Sequence, residues 1–116
     1  LMGVSLKRLE SLSLRELSIM IQSDSRLDNI RLLNITEIRI TNDLSYMTVY
    51  YTVLDDKNKQ KMADNLEALK PYIRRELAHK INARKMPDLI FKYDEALEYG
   101  NHIAEILESE KKKFNN

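Results

Sequence analysis

Apolar residues recur along the chain with two different periods, one typical of helices and one typical of strands. From Ser5 to Gln22 they return every three or four positions, as on one face of an α-helix. Ser5 is suited to cap this helix, because a serine oxygen accepts a hydrogen bond from the unpaired amides of a first turn. The polar stretch Ser23–Asn29 that follows predicts a loop.

Two segments with strand character come next. Leu33–Thr41 is rich in β-branched residues, but Ile35 and Ile38 fall on opposite faces, which predicts a bulge or burial on both faces. Ser45–Leu54 alternates regularly, and one of its faces carries the residues expected in the core: Met47, Val49, Tyr51 and Val53. The short connection at Asn42-Asp43 predicts that the two strands form a β-hairpin.

A long apolar stripe follows the charged turn at residues 55–59. Its members are spaced by three or four residues: Met62, Leu66, Leu69, Ile73, Leu77 and Ile81. Pro71 interrupts the stripe, and a proline both removes a backbone donor and clashes with the preceding turn. We therefore expect two helices that meet at Lys70-Pro71. The second should end before Pro87, because the residue ahead of a proline avoids helical geometry.

The carboxyl-terminal part predicts a third short strand, Asp88–Tyr93, and a last amphipathic helix, Glu95–Lys111. The predicted order is helix, strand, strand, helix, kink, helix, strand, helix. Three strands with helices on one face make an α+β fold, a two-layer sandwich. The length of 116 residues fits a single domain, with a core over about 5–107 and a charged tail at 108–116.

Composition narrows the class of protein. Hydrophobic residues make up 43% and charged residues 32%, as expected of a folded protein with a charge-rich surface. The chain has no cysteine, which excludes disulfide scaffolds, cysteine-based zinc sites and thiol catalysis. No apolar run is long enough to span a bilayer, and no secretory signal is evident. We expect a cytoplasmic protein that does not associate with membranes.

Charge is distributed unevenly along a chain whose net charge is only +1. The segment Lys70–Lys92 has seven basic and two acidic residues, whereas Tyr93–Glu110 has six acidic residues and no lysine or arginine. Such a basic segment can track a phosphate backbone. The candidate RNA-binding residues are Lys70, Arg74, Arg75, Lys80, Arg84 and Lys85. A solvated charged surface without a ligand remains the alternative.

Other candidate chemistry is weaker. Tyr46 and Tyr50 offer rings on which bases stack, but aromatic residues also pack across strands as ordinary sheet neighbours. His79 and His102 are far apart in sequence and lie in no metal-ligand pattern. The serines lack the context of a nucleophile elbow. We therefore expect no enzymatic activity, no metal and no cofactor.

Two blocks of residues match the pattern of one family. The first comprises Tyr72–Leu77, Ile81–Phe91 and Tyr93-Asp94, in which Arg84, Pro87, Leu89 and Phe91 follow an Arg-x-x-Pro-x-Leu-x-Phe motif. The second runs from Ile35–Ile38 through Asp43-Leu44-Ser45-Tyr46 to Val49-Tyr50. Over roughly Ser5 to Leu107, the chain resembles ribosome-binding factor A, a bacterial family of assembly factors for the small ribosomal subunit.

The resemblance implies a type II KH-like domain. In KH domains a Gly-x-x-Gly loop between two helices clamps the nucleic-acid backbone. The family replaces this loop with a kink, usually Ala-x-Gly, and the corresponding residues are Leu69, Lys70 and Pro71. Both small residues of the family's kink are therefore absent, although a proline also bends a helix.

The resemblance also implies a function, that of a non-enzymatic maturation factor. Such a protein binds the immature small (30S) subunit near the decoding region and contacts its ribosomal RNA. It supports processing of the RNA 5′ end, matters most in the cold, and leaves with the help of a GTPase. We expect a monomer.

Two arginines match family positions. Arg74 and Arg84 are expected to contact phosphate or to brace the kink, and Arg84 has the alternative of pairing with Asp88 or Asp94. An alternative function also remains open, in which the chain is a protein-interaction module whose acidic last helix docks a basic ribosomal protein.

Overall fold

Two long helices and three strands make up residues 5–96, the part of the chain that the computed structural model describes. In chain order they are α1 (Leu6–Ser23), β1 (Leu33–Ile40), β2 (Tyr46–Val53), α2 (Lys59–Lys80) and β3 (Asp88–Tyr93). Short 3₁₀ turns occupy Ser25–Ile30, called here the α1–β1 turn, and Asp56–Asn58. The order confirms the predicted α+β class. The predicted last helix and the tail at 108–116 lie outside the described residues, except for the first two residues of that helix.

Helix α1 begins where the sequence predicts. The Ser5 side chain accepts a hydrogen bond from the Arg8 amide at 3.1 Å and so caps the first turn. The polar stretch after the helix forms the α1–β1 turn instead of an irregular loop. Leu27 and Ile30 are fully buried, so the turn is anchored in the core by its two apolar residues.

The sheet has the order β1-β2-β3, with β1 antiparallel and β3 parallel to β2. The register shifts between Ile35 and Glu37, which confirms the predicted bulge in β1. Because of this extra residue, Ile35 lies opposite Tyr51 and Ile38 lies opposite Val49, on the same face of the sheet. The bulge thus brings both isoleucines to the core side. The predicted inward face of β2 is buried throughout.

The outer edge of β1 is partly capped by a side chain from α1. The Ile40 amide, which points away from β2, donates a hydrogen bond to the Glu10 carboxylate at 2.7 Å. The hairpin turn beyond it places Leu44 at φ 62°, and the Thr41 hydroxyl accepts from the Ser45 amide at 3.1 Å. The end of this edge strand is therefore held by contacts from both sides.

Helix α2 differs from the prediction in its continuity. The division into two helices at Lys70-Pro71 is wrong, because a single α-helix runs from Lys59 to Lys80 with Pro71 inside it. An interior proline costs about 3 kcal/mol. The buried residues lie on both sides of it: Met62, Leu66, Ile73 and Leu77. Each contributes roughly 1.5–3 kcal/mol by burial, so packing against one core outweighs the proline. A bend within the helix at Pro71 stays a prediction.

The end of α2 turns the chain back toward the helix. Asn82 has φ 54°, and the Ala83 amide donates to the Ala78 carbonyl at 3.0 Å while the Asn82 amide donates to His79 at 3.3 Å. This pair of bonds is the Schellman motif, which ends a helix with one left-handed residue. The following residues return alongside α2 and lead into β3.

Candidate nucleic-acid interface

An open groove lies between α2 and the loop that precedes β3. Its volume is about 580 Å³, and it is lined by Lys70, Pro71, Arg74, Arg75, Ala78, His79 and Met86. Three of the six predicted RNA-binding residues therefore meet in one place: Lys70, Arg74 and Arg75. The other three do not line it: Lys80, Arg84 and Lys85.

Arg74 is held by the loop before β3. Its Nε donates to the Pro87 carbonyl at 3.0 Å, and its Nη2 donates to the Met86 carbonyl at 2.6 Å. Nη2 also lies 3.6 Å from an Asp88 carboxylate oxygen. These bonds brace the wall of the groove, whereas the sequence suggested bracing of the kink. Most donors of this guanidinium are already used within the protein.

The alternative pairing of Arg84 is not what the structure shows. Asp88 pairs with Arg74, and the Asp94 carboxylate accepts a hydrogen bond from the Thr36 hydroxyl at 2.5 Å. Arg84 is exposed and makes no salt bridge to either carboxylate within residues 5–96.

Two of the predicted lysines, Lys70 and Lys85, also have internal partners. Lys70 Nζ lies 2.9 Å from a Glu67 carboxylate oxygen, and only 30% of the lysine side chain is exposed. Lys85 Nζ donates to the Asp43 carbonyl at 3.2 Å and so ties the loop before β3 to the hairpin turn. Hydrogen bonds from Ser45 and Thr41, with the charge of Lys85 adding to them, lower the pKa of Asp43. These lysines hold the shape of the surface.

The remaining predicted cations have their donors available. Arg75 is 63% exposed, and its Nε is 3.8 Å from the Glu76 carboxylate, too far for a hydrogen bond. Lys80 and Arg84 are exposed and make no side-chain hydrogen bond or salt bridge in the described part of the chain. Exposed cations without close partners are the residues best able to bind a phosphate. The structure thus distinguishes two groups of cations. The bracing cations are Lys70, Arg74 and Lys85, and the available cations are Arg75, Lys80 and Arg84.

Sequence reasoning missed a contact between the α1–β1 turn and α2. The Tyr72 hydroxyl donates a short hydrogen bond to the Asp24 carboxylate. The guanidinium carbons of Arg26 and Arg75 lie 5.2 and 5.7 Å from the centroid of the Tyr72 ring. Arg26 and Tyr72 are 46 positions apart along the chain, so no local spacing indicates this contact.

The hydrogen bond between Tyr72 and Asp24 shifts the pKa values of both side chains. It lowers the pKa of Asp24, and a hydrogen bond from the backbone amide of Arg26 acts in the same direction. It raises the pKa of Tyr72, with burial and the negative charge of Asp24 adding to the effect. Both shifts favour the pair as carboxylate and phenol, the state present at neutral pH.

The sheet tyrosines lie apart from the groove lining. Tyr46 is 49% exposed, and Tyr50 lies between Glu37 and Lys92 in the sheet register. These neighbours favour the interpretation of Tyr50 as an ordinary cross-strand residue. Base stacking on either ring stays a prediction.

Among residues 5–96, no three histidine or acidic side chains converge to hold a metal ion. In the same range, no helix is both long and apolar enough to cross a bilayer. His79 lines the groove, and His102 lies outside the described residues.

Comparison with known proteins agrees with the resemblance. The family model described as ribosome-binding factor A matches residues 5–107. Ribosome-binding factor A of Phytoplasma mali is 44% identical over 109 residues, covering 91% of this chain and 96% of the relative. That of Macrococcus caseolyticus is 39% identical over 94 residues, covering 80% and 82%.

Solved structures show the same fold. The crystal structure of ribosome-binding factor A from Thermus thermophilus superposes with a TM-score of 0.66 at 24% identity, covering 78% of this chain and 97% of that one. A model of the same Thermus protein, fitted into a cryo-electron microscopy map of its complex with the 30S subunit, gives 0.59 at 25% identity and covers 73% and 90%. The type II KH-like fold is thereby confirmed, and the chain belongs to the ribosome-binding factor A family.

Proposed function

We propose that this protein is an assembly factor that binds the immature small ribosomal subunit through its ribosomal RNA. Family membership and the 30S complex of the Thermus relative support this function. The observation that carries it is the set of exposed cations with unused donors on α2 and on the loop that follows it: Arg75, Lys80 and Arg84. Among the described residues that line the groove between α2 and the loop before β3, none is acidic.

The groove and the available cations suit RNA for complementary reasons. Cations that neutralise phosphates release condensed counterions, which supplies affinity without sequence preference. The groove adds an apolar floor of Pro71, Ala78 and Met86, against which a sugar or base can pack. Arg74 is fixed by the carbonyls of Met86 and Pro87, so the wall of the groove is formed before RNA arrives.

We further propose the finer roles that the family resemblance implies. The protein supports processing of the ribosomal RNA 5′ end and leaves the mature subunit with the help of a GTPase. It acts in the cytoplasm as a monomer, with no catalytic activity and no cofactor. Its contribution is greatest in the cold, where misfolded RNA helices are more stable and escape from them is slower.

Co-sedimentation tests the binding proposal. Purified protein is mixed with small subunits from cold-arrested cells or with mature small subunits, at two salt concentrations. We expect binding to fall steeply with salt, to be stronger for immature subunits, and to be lost after RNase treatment. Binding to neither kind of subunit would contradict the proposed function.

The same experiment separates the alternative function. Binding that ignores salt and survives RNase would indicate docking on a ribosomal protein through the acidic segment after Tyr93. For the finer role, loss of the gene should raise the fraction of small-subunit RNA with an unprocessed 5′ end, most strongly in the cold. Primer extension measures that fraction, and an unchanged 5′ end would contradict the processing role.

A further inference from the structure

We propose that Arg26, in the α1–β1 turn, is a further RNA-contacting residue, and that Tyr72 and Asp24 are positioning residues that hold it beside the available cations of α2. The inference rests on the proposed function and deepens it. The RNA-binding surface then includes two segments far apart in sequence, whereas the basic segment alone predicts only one.

Arg26 has the properties of the available cations. It is exposed, and its side chain makes no hydrogen bond or salt bridge within residues 5–96. Arg31, at the end of the same turn, differs in every respect. It is half-buried, its Nε donates to the Ile21 carbonyl at 3.2 Å, and its Nη2 donates to the Asp24 carbonyl at 2.9 Å. One arginine braces the turn, and the other keeps all five donors for a ligand.

The position of Arg26 is set by two contacts through Asp24. One carboxylate oxygen of Asp24 accepts from the Arg26 amide at 2.9 Å, and the other accepts from the Tyr72 hydroxyl. The Arg26 guanidinium carbon then lies 5.2 Å from the centre of the Tyr72 ring, within the range of a cation–π interaction. The backbone of the turn and its arginine side chain are thus both attached to α2.

The result is a cluster of positive charge from two elements. Arg26 and Arg75 share the Tyr72 ring, and Lys80 is close enough to Asp24 for its charge to act on that carboxylate. Asp24 itself is bonded to Tyr72 and to the turn backbone. Arg26 and Lys80 act on Asp24, and Arg75 lies on the Tyr72 ring with Glu76 nearby. Three exposed cations against two carboxylates leave an excess of positive charge at this place.

Arginine on an aromatic ring suits a phosphate ligand. A guanidinium placed over a ring by its flat face keeps its N–H edges available, and two of those N–H groups bind a phosphate in parallel. The ring contact also limits the rotamers of the side chain, so less entropy is lost when the phosphate binds. This geometry favours an RNA backbone phosphate as the ligand of Arg26.

The test measures binding to in vitro transcribed small-subunit ribosomal RNA over a range of salt concentrations. Arg26→Gln should weaken binding about five-fold at 0.1 M salt and should reduce the slope of log affinity against log salt by about 0.7 to 0.9, the effect of one lost phosphate contact. Arg15→Gln is the control, because Arg15 is an exposed arginine of α1 without a side-chain partner in residues 5–96. If the two variants behave alike, the inference is wrong.

A double-mutant cycle tests the positioning residues. Tyr72→Leu removes the ring, and in its presence Arg26→Gln should weaken binding by less than two-fold. Tyr72→Phe keeps the ring but removes its hydrogen bond to Asp24, so the effect of Arg26→Gln should there lie between its values in wild type and in Tyr72→Leu. A full five-fold effect of Arg26→Gln in the Tyr72→Leu background would contradict the positioning role. Urea unfolding of each variant identifies any that fails to fold.

Parallel variants separate failure of the inference from failure of the proposed function. Arg75→Gln and Lys80→Gln remove cations that the proposed function already requires. If both weaken RNA binding and Arg26→Gln does not, the function stands and the inference is overturned. If the wild-type protein does not bind this RNA at all, both are overturned.

Discussion

Neighbouring arginines of α2 perform different tasks although they carry the same charge. Arg74 is half-buried and uses its donors on the carbonyls of Met86 and Pro87. Arg75 is the next residue along the helix and lies 63% exposed with no hydrogen-bond partner for its Nε. A helix turns 100° per residue, so one step moves a side chain from the groove wall to the open surface. Charge alone therefore does not identify a ligand-binding residue.

The bracing role of Arg74 predicts a loss of stability when it is replaced. Arg74→Gln removes the charged donor to two backbone carbonyls, and we expect a decrease of about 1–2 kcal/mol in the free energy of unfolding. Urea denaturation measures it. The control is Arg75→Gln, which should stay within about 0.5 kcal/mol of wild type. Equal stability of the two variants would contradict the bracing role.

The pair Asp24–Tyr72 predicts a pH dependence that Tyr72→Phe should reduce, since the Arg26 amide still acts on Asp24 in that variant. The pKa of Asp24 is lowered in the folded state, so its contribution to stability is present above the unfolded value of 3.8 and is lost as pH falls through the lower folded value. The pKa of Tyr72 is raised, so its contribution is present below 10.0 and is lost as pH rises through the higher folded value. Urea unfolding should thus show the largest difference between wild type and Tyr72→Phe near neutral pH. A difference that stays constant down to strongly acidic pH would contradict this linkage.

At the scale of elements, the continuous helix α2 is the main departure from expectation. A proline interrupts a helix because it lacks a backbone N–H and clashes with the preceding turn, and both effects can be predicted from the sequence. Ile73 and Leu77 are buried on the same stripe as Met62 and Leu66, and this tertiary packing outweighs the helix-breaking effect of Pro71. The strand predictions succeeded because the alternation of apolar and polar residues reflects which side chains are buried. Strand β3 has its predicted bounds, and the bulge in β1 lies where the alternation is irregular.

Replacing the proline tests whether it lies inside a helix. Pro71→Ala restores a backbone donor and removes a clash, and Pro71 is exposed, so no packing is lost. We expect the free energy of unfolding to rise by about 1–3 kcal/mol. A proline at the first position of a separate helix would give no gain, because its missing donor would have had no partner there.

The buried stripe of α2 makes a second prediction at this scale. Leu77 is fully buried, so Leu77→Ala should lower the free energy of unfolding by roughly 2–5 kcal/mol through lost burial and a residual cavity. Leu69 is half-buried on the same helix, and Leu69→Ala should cost clearly less. Thermal or urea unfolding compares them. An unchanged melt for Leu77→Ala would show that the helix faces the core differently.

For the molecule as a whole, the sequence indicated the basic segment but not the surface it belongs to. Arg74 and Lys85 look like ligand-binding residues in the sequence because their carbonyl partners are brought near only by folding. Arg26 shows the opposite case, since it lies in a polar stretch without any helical or strand period. Its approach to Tyr72 depends on how α1 and α2 pack, which no local pattern contains.

Charge reversal on the available cations tests the whole surface. Arg75→Glu combined with Lys80→Glu should weaken binding to immature small subunits more than about ten-fold, because two phosphate contacts become repulsive. Its control is Lys57→Glu with Lys61→Glu, which changes net charge equally on exposed lysines near the other end of α2. Co-sedimentation at constant salt measures both. Equal losses would mean that only the net charge of the protein matters.

The Glu10 contact with the Ile40 amide has a consequence for the behaviour of the protein in concentrated solution. Within residues 5–96, β1 is an outer strand of the sheet, and an outer strand offers its unpaired amides to any extended chain. Glu10 occupies one of these amides, and the bulge near Thr36 breaks the regular spacing of the others. A second copy of the protein therefore meets an edge with an interrupted row of amides, which disfavours strand-to-strand aggregation at high protein concentration.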